Sequence, residues 1–317
     1  MFSLFKRFQF MKKTVFFLLI TLFILPVCAI YFGTPPNDIQ WNMIKNAYYI
    51  VLGVIFYTFI VGQLTGNYSQ VDKLWSVVPI FYVWYMAYLG QWNDRMVLMS
   101  ILVTIWGIRL TYNFARRGAY SWRFWEGEED YRWEILRKKP GLSNPFIWML
   151  FNLGFICFYQ NTLIFLITLP VIAVYTENMA PLGMLDYTLA FLFLAAVVME
   201  YTADQQQYDF QTEKYERISK NKALGIYEDG FVSTGLWAFM RHPNYAAEQS
   251  IWIILYFFSV VATGQWFNWS IGGAILLLLL FRGSANFSEE ISASKYPKYA
   301  EYQEKVPRFI PNFLKRK

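Results

Sequence analysis

The chain has 317 residues, of which 56% are hydrophobic, 21% aromatic and 16% charged, with a net charge of +6. A soluble domain carries about a quarter charged residues, so this composition excludes an ordinary water-soluble globule and predicts an all-α polytopic membrane helical bundle. The basic surplus lies in loops between apolar runs, where orientation signals belong, which argues against a nucleic-acid partner.

Crossing a bilayer takes about 20 mostly apolar residues. Eight segments meet that need approximately: 14–32, 43–63, 74–90, 96–114, 147–175, 184–203, 244–262 and 266–281. The first could instead be a cleaved signal, with VCA before Ile30 as the small-residue site, although its apolar stretch exceeds a usual signal core. The fifth is overlong and holds Asn152, Gln160, Asn161 and Pro170, which predicts a kink or tilt. The length suits one membrane domain, 1–317: helices in 1–114, a loop at 115–146 and a C-terminal part at 147–317. Lys and Arg crowd the N-terminus, the loops 115–146 and 204–243, and the tail, whereas the alternate loops hold only Arg95. That alternation predicts about eight spans with both termini cytoplasmic. Cys28 and Cys157 lie inside apolar runs and read as packing residues, with no metal cluster.

The loops carry chemistry. EEDYRWEILRKK at 128–139 predicts a short amphipathic interfacial helix. DQQQYDFQTEKYERISK continues the sixth helix into water, and the polar tail SEEISASKYPKYAEYQEKVPRFIP follows the last span. In MRHPNYAAE, the chain's one histidine, His242, precedes Pro243. Proline favours the first helical position, so Arg241 and His242 stand at a helix start that favours an anion. Asn244, Tyr245 and Glu248 then share one face. Glu200, Asp204, Gln207 and Gln211 fall at steps of four, three and four, giving one polar stripe on the sixth helix. Arg282, Asn286 and Glu290 follow at steps of four, with Glu289 beside them, and Tyr296, Tyr299 and Tyr302 recur every three residues. The plain alternative is an interfacial anchor and solvated helix faces, which suits Gln211 and suits the intramembrane acids Glu200 and Glu248 poorly. Taken together, the three stripes predict one pocket on the cytoplasmic face. A lipophilic substrate would reach it from the bilayer and a charged cofactor from water.

GLWAFMRHPNYAAE resembles the GLW-x-x-x-RHPNY-x-x-E signature of the steroid 5-alpha-reductase C-terminal family. ADQQQYDF and the tail ending VPRFIP resemble that family's AD-x-Q-x-x-x-F and V-P-x-F-IP segments. IWGIRLTYNFARRG with EEDYRW resembles its uncharacterised multi-pass membrane branch. The resemblance covers roughly 100–310; one departure is Ala247, where the family usually has glycine. It implies a membrane reductase with NADPH held by Asp204, Gln207, Arg241, His242, Asn244, Tyr245, Glu248 and Glu290. The reaction implied is hydride transfer to an activated carbon–carbon double bond, then protonation, with membrane lipids around the chain. Asp72 and Tyr112 are the candidate proton donors, each with an ordinary role as alternative: a pairing with a base for Asp72, an interfacial position for Tyr112. Two further readings stand beside it: a membrane methyltransferase of isoprenylcysteine or phospholipid that uses S-adenosylmethionine, and a non-enzymatic lipid-binding membrane protein.

Overall fold

A computed structural model of the chain describes residues 2–176 and 180–311, with side chains from Phe16 onward in that range. The helices are α1 (Phe2–Phe32), α2 (Asp38–Thr65), α3 (Gln70–Leu74), α4 (Val78–Leu89), α5 (Asp94–Ala115) and α6 (Tyr131–Arg137). They are followed by α7 (Pro145–Ala173), α8 (Met184–Ser219), α9 (Pro243–Thr263), α10 (Ile271–Lys295) and α11 (Tyr299–Lys305). Among the described residues there is no strand; one isolated bridge joins Thr34 and Asn268. The expected helical membrane bundle is the observed fold class. Among the described residues, six helices are long and apolar enough to cross a membrane: α2, α5, α7, α8, α9 and α10. The other two expected segments are shorter apolar helices, at Phe16–Phe32 and Val78–Leu89. The expected span at 74–90 is shortened at both ends. Residues 75–77 form a turn, Pro79 opens α4, and Gly90 closes it with its N–H on Met86 O at 2.8 Å.

The chain divides into two compact units: Met1–Phe191 with Ile253–Leu277, and Leu192–Trp252 with Leu278–Lys317. In the first unit, local sequence signals set the helix ends. Asn37 and Gln40 form a reciprocal capping box at the start of α2, with contacts of 2.8 and 3.1 Å. Gly66, at φ 69°, ends the helix in the left-handed conformation that glycine adopts without a Cβ penalty. Met43, Ala47, Val51, Ile55, Thr58 and Gly62 are buried at steps of four and three, one packed stripe of a helix whose other faces are half-buried or exposed.

The core of this unit is α7. Of its most apolar window, 89% is buried, against 28% for α2, so α7 is the helix the others pack around. The expected kink takes a specific form. Residues Asn152–Tyr159 adopt a π-helix, whose wider turn shifts the side-chain register, and Pro170 interrupts the helix after Leu169. Asn161 donates to Thr58 Oγ1 at 3.2 Å and to Cys157 O at 2.7 Å, tying α7 to the buried stripe of α2. Cys157 is buried and free, as a packing residue should be. Arg95, the sole arginine of the alternate loops, makes a bidentate pair with Asp186 at 2.7 and 2.9 Å, with side chains 5% and 1% exposed.

The second unit holds α8 from Leu192 onward, α9 as far as Trp252, α10 from Leu278 onward, and α11. Two aromatic clusters organise it. Phe210, Val232 and Trp237 pack together with Tyr227, and Phe231 packs with Tyr296, Tyr299 and Tyr302. Two glycines are required where these clusters meet loops. At Gly230, with φ 81°, a Cβ would run into the ring of Tyr296. At Gly235, with φ 60°, a Cβ would strike the Gln206 amide, whose Oε1 accepts from Leu236 N at 3.0 Å.

Candidate functional site

Eight of the ten expected site residues lie in the second unit, and the structure sorts them into two groups. The first is a clamp around a carboxylate. Arg241 Nε donates to Glu289 Oε1 at 2.9 Å, and Arg308 donates from Nε and NH2 at 3.1 and 2.7 Å. Gln303 Nε2 donates to Glu289 Oε2 at 2.9 Å, and His242 Nε2 lies 2.9 Å from Oε1. An ionised carboxylate only accepts, so Nε2 of His242 carries a proton in this contact. Arg241 NH1 also donates to Gln303 O at 2.8 Å and to Val306 O. The backbone closes the same junction: Arg241 N reaches Pro307 O at 2.8 Å and His242 N reaches Arg308 O at 3.1 Å. The start of α9, the end of α10 and the tail are therefore pinned at one point. Two guanidinium cations against one carboxylate leave the clamp with a positive balance.

The second group is a polar wall beside that clamp. Asn244 Nδ2 donates to Asp204 Oδ1 at 3.1 Å, which joins the stripe on α8 to the start of α9. Tyr245 N donates to Asn244 Oδ1 at 3.0 Å. The Tyr245 ring stacks on His242 at 5.1 Å between centroids and meets Phe281 edge-on at 4.8 Å. One turn along α9, Glu248 Oε1 accepts from Trp252 Nε1 at 2.9 Å. Asp204, Glu248 and Glu200 are each less than 5% exposed, and a buried acid is costly unless it is hydrogen-bonded or serves a ligand. Gln207 and Glu290 are half-buried.

Spacing and structure part at one point. Arg282, Asn286 and Glu290 share a face at steps of four, but Glu289 is the buried centre of the clamp. Steps of four then three place Glu289 on that face equally well, so periodicity alone does not separate the two glutamates. Gln303 and Arg308 were not singled out from sequence; the one signal was their place in the polar tail before Ile310–Pro311. The tyrosine repeat serves the same junction. Tyr302 donates from its hydroxyl to Trp237 O at 2.5 Å, and burial pushes the Tyr299 phenol up to about 12. Ala247, where glycine was expected, is 1% exposed, so its methyl is buried.

Asp72 and Tyr112 lie in the first unit, and the structure gives them separate partners. Asp72 Oδ2 accepts from Trp133 Nε1 at 2.6 Å, which pins α6 to α3. Burial, and then the neighbouring Asp130 carboxylate, raise the Asp72 carboxyl above its ordinary range. Tyr112 is 56% exposed on α5, with the Arg116 guanidinium over its ring at 5.6 Å.

A profile of the family described as "Protein of unknown function (DUF1295)" matches residues 58–306. The chain belongs to the DUF1295 family. Its matched region contains Asp72, Tyr112, the polar wall and all of the clamp except Arg308. The chain is also similar to the Uncharacterized protein C594.04c of Schizosaccharomyces pombe (strain 972 / ATCC 24843), 34% identical over 280 residues, covering 82% of this chain and 79% of that one. No solved structure matches this DUF1295 member.

Proposed function

We propose that this membrane protein is an NADPH-dependent reductase of a carbon–carbon double bond in a lipophilic substrate, with its cofactor end on the cytoplasmic face. The observation that supports this reading most is the Asp204–Asn244 contact between α8 and the start of α9, set beside the cationic clamp. The residues present suit parts of such a cofactor. Buried Asp204 and Glu248 accept hydrogen bonds from hydroxyl and carboxamide donors, and the Asn244 amide both donates and accepts. Arg308, 28% exposed, and the exposed Arg282 are the cations with surface left for phosphate. Arg241 and His242, committed to Glu289, would act by holding the start of α9 in place. The cofactor supplies the hydride when bound. Of the two candidate proton donors, Asp72 fits better, because burial keeps its carboxyl protonated to a higher pH than an exposed one. Kinship with the steroid 5-alpha-reductase C-terminal family belongs to this same proposal.

One observation favours a second reading. Three buried acids, Glu200, Asp204 and Glu248, also suit a positively charged ligand such as S-adenosylmethionine, the cofactor of a membrane methyltransferase. Thermal unfolding of the full chain in detergent separates the two. The reductase reading expects NADPH to raise the midpoint, by about 2.7 kcal/mol of added stability at a hundredfold excess over Kd. Asp204→Asn should abolish that gain while leaving the ligand-free midpoint close to wild type. A shift with S-adenosylmethionine and none with NADPH would overturn the reductase reading.

A further inference from the structure

The first unit contains an open groove of about 570 Å³, within the range of about 300–1,000 Å³ usual for small-molecule sites. Its lining is apolar. Ile50 and Val54 of α2, Val78 of α4 and Phe124 contribute hydrocarbon surface, and Gly53 contributes an open floor. A Cβ built on Gly53 would meet nothing within 4 Å, so the glycine leaves room that its helix does not need. Tyr57 is the single lining residue with a polar side-chain atom. Among the described residues its hydroxyl has no hydrogen-bond partner.

Depth decides what such a groove can hold. Helix α2 has 28 residues and is long and apolar enough to cross a membrane. At 1.5 Å per residue Tyr57 stands about 8 Å from the middle of α2; with that middle at the bilayer midplane, the residue lies inside a hydrocarbon core about 15 Å deep on each side. Helical side chains lean toward the amino end, which points the Tyr57 hydroxyl deeper still, away from the nearer end of α2. A phospholipid chain at that depth is plain hydrocarbon and offers this donor no acceptor. A hydroxyl in hydrocarbon without an acceptor is unfavourable by a margin that a ligand oxygen removes.

We propose that the groove binds a lipophilic molecule whose hydrocarbon body carries one hydrogen-bond-accepting oxygen, a ketone or alcohol, held at Tyr57. The proposal rests on the first unit alone and does not depend on the cofactor assigned to the second. The test uses the full chain in phosphatidylcholine nanodiscs with two photoactivatable probes, a diazirine-bearing long-chain ketone and the matching diazirine-bearing alkane. Adducts are mapped by mass spectrometry. The ketone is expected to label the lining of the groove at least fivefold more than Phe56, an exposed neighbour on α2 outside it. Gly53→Trp should lower labelling of the groove tenfold or more, with Gly53→Leu intermediate and Phe56→Trp without effect. Tyr57→Phe should reduce the ketone's labelling two- to tenfold, toward that of the alkane. Equal labelling of the groove and Phe56, unchanged by filling Gly53 in variants that melt like wild type, would mean surrounding lipid only and would overturn the proposal. Ketone and alkane labelling alike, with Tyr57→Phe silent, would overturn the role of the oxygen.

Discussion

Replacing Glu289 by Gln tests whether the carboxylate at the centre of the clamp holds the tail on the membrane helices. The side chain is 4% exposed, and its partners Arg241 and Arg308 are 11% and 28% exposed. Removing one member of a buried ion pair costs about 3–5 kcal/mol, because the remaining charges lose their compensation. Arg308 is partly hydrated, so the low end, about 3 kcal/mol, applies here. Gln is close in shape, but its amide nitrogen would present a donor where Gln303 or Arg308 already donates. The loss should appear as opening of the tail, and two amides report it directly. Arg241 N–H and His242 N–H are bonded to Pro307 O and Arg308 O. A cost of about 3 kcal/mol corresponds to hydrogen exchange faster by roughly a hundredfold at those amides. Amides inside α7 should exchange as in the wild type. Exchange at Arg241 and His242 within twofold of wild type would refute the clamp.

Two further outcomes follow from the first unit. Arg95→Ala strands Asp186, which is 1% exposed, and should lower stability by about 3–5 kcal/mol in detergent unfolding; the double variant Arg95→Leu, Asp186→Leu should recover part of it. A wild-type midpoint in Arg95→Ala would sink that account. For Asp72, whose carboxyl is raised in the folded state, the native protein binds more protons than the unfolded chain between the two pKa values. Stability should therefore fall as pH rises from about 4 through the raised value, and Asp72→Asn should flatten that slope. Identical pH profiles for the two proteins would contradict the assignment.

The membrane class was legible from composition, because 56% hydrophobic and 16% charged residues leave no polar coat for a soluble domain. The start of α9 was legible because its signal, Pro243, is local; Asn37 with Gln40 and Asn144 with Pro145 are local signals of the same kind, which the expected spans 43–63 and 147–175 left outside. The bond between Asp204 and Asn244 joins two stripes that spacing had already marked, since one side of a helix is written in steps of three and four. Other features depended on residues distant in the chain. Glu289 and Glu290 are neighbours with the same chemistry; Arg241, 48 positions away, and Arg308, 19 positions away, decide which one is the centre of the clamp. The π-helix at Asn152–Tyr159 has no spacing signature of its own, because packing around a core helix sets its register. The groove at Gly53 was likewise silent in sequence, where a glycine in an apolar run reads only as a weak helix residue. Periodicity along one helix reports which side is polar; it carries no information about which atoms from other helices meet that side, and only the tertiary structure decided that.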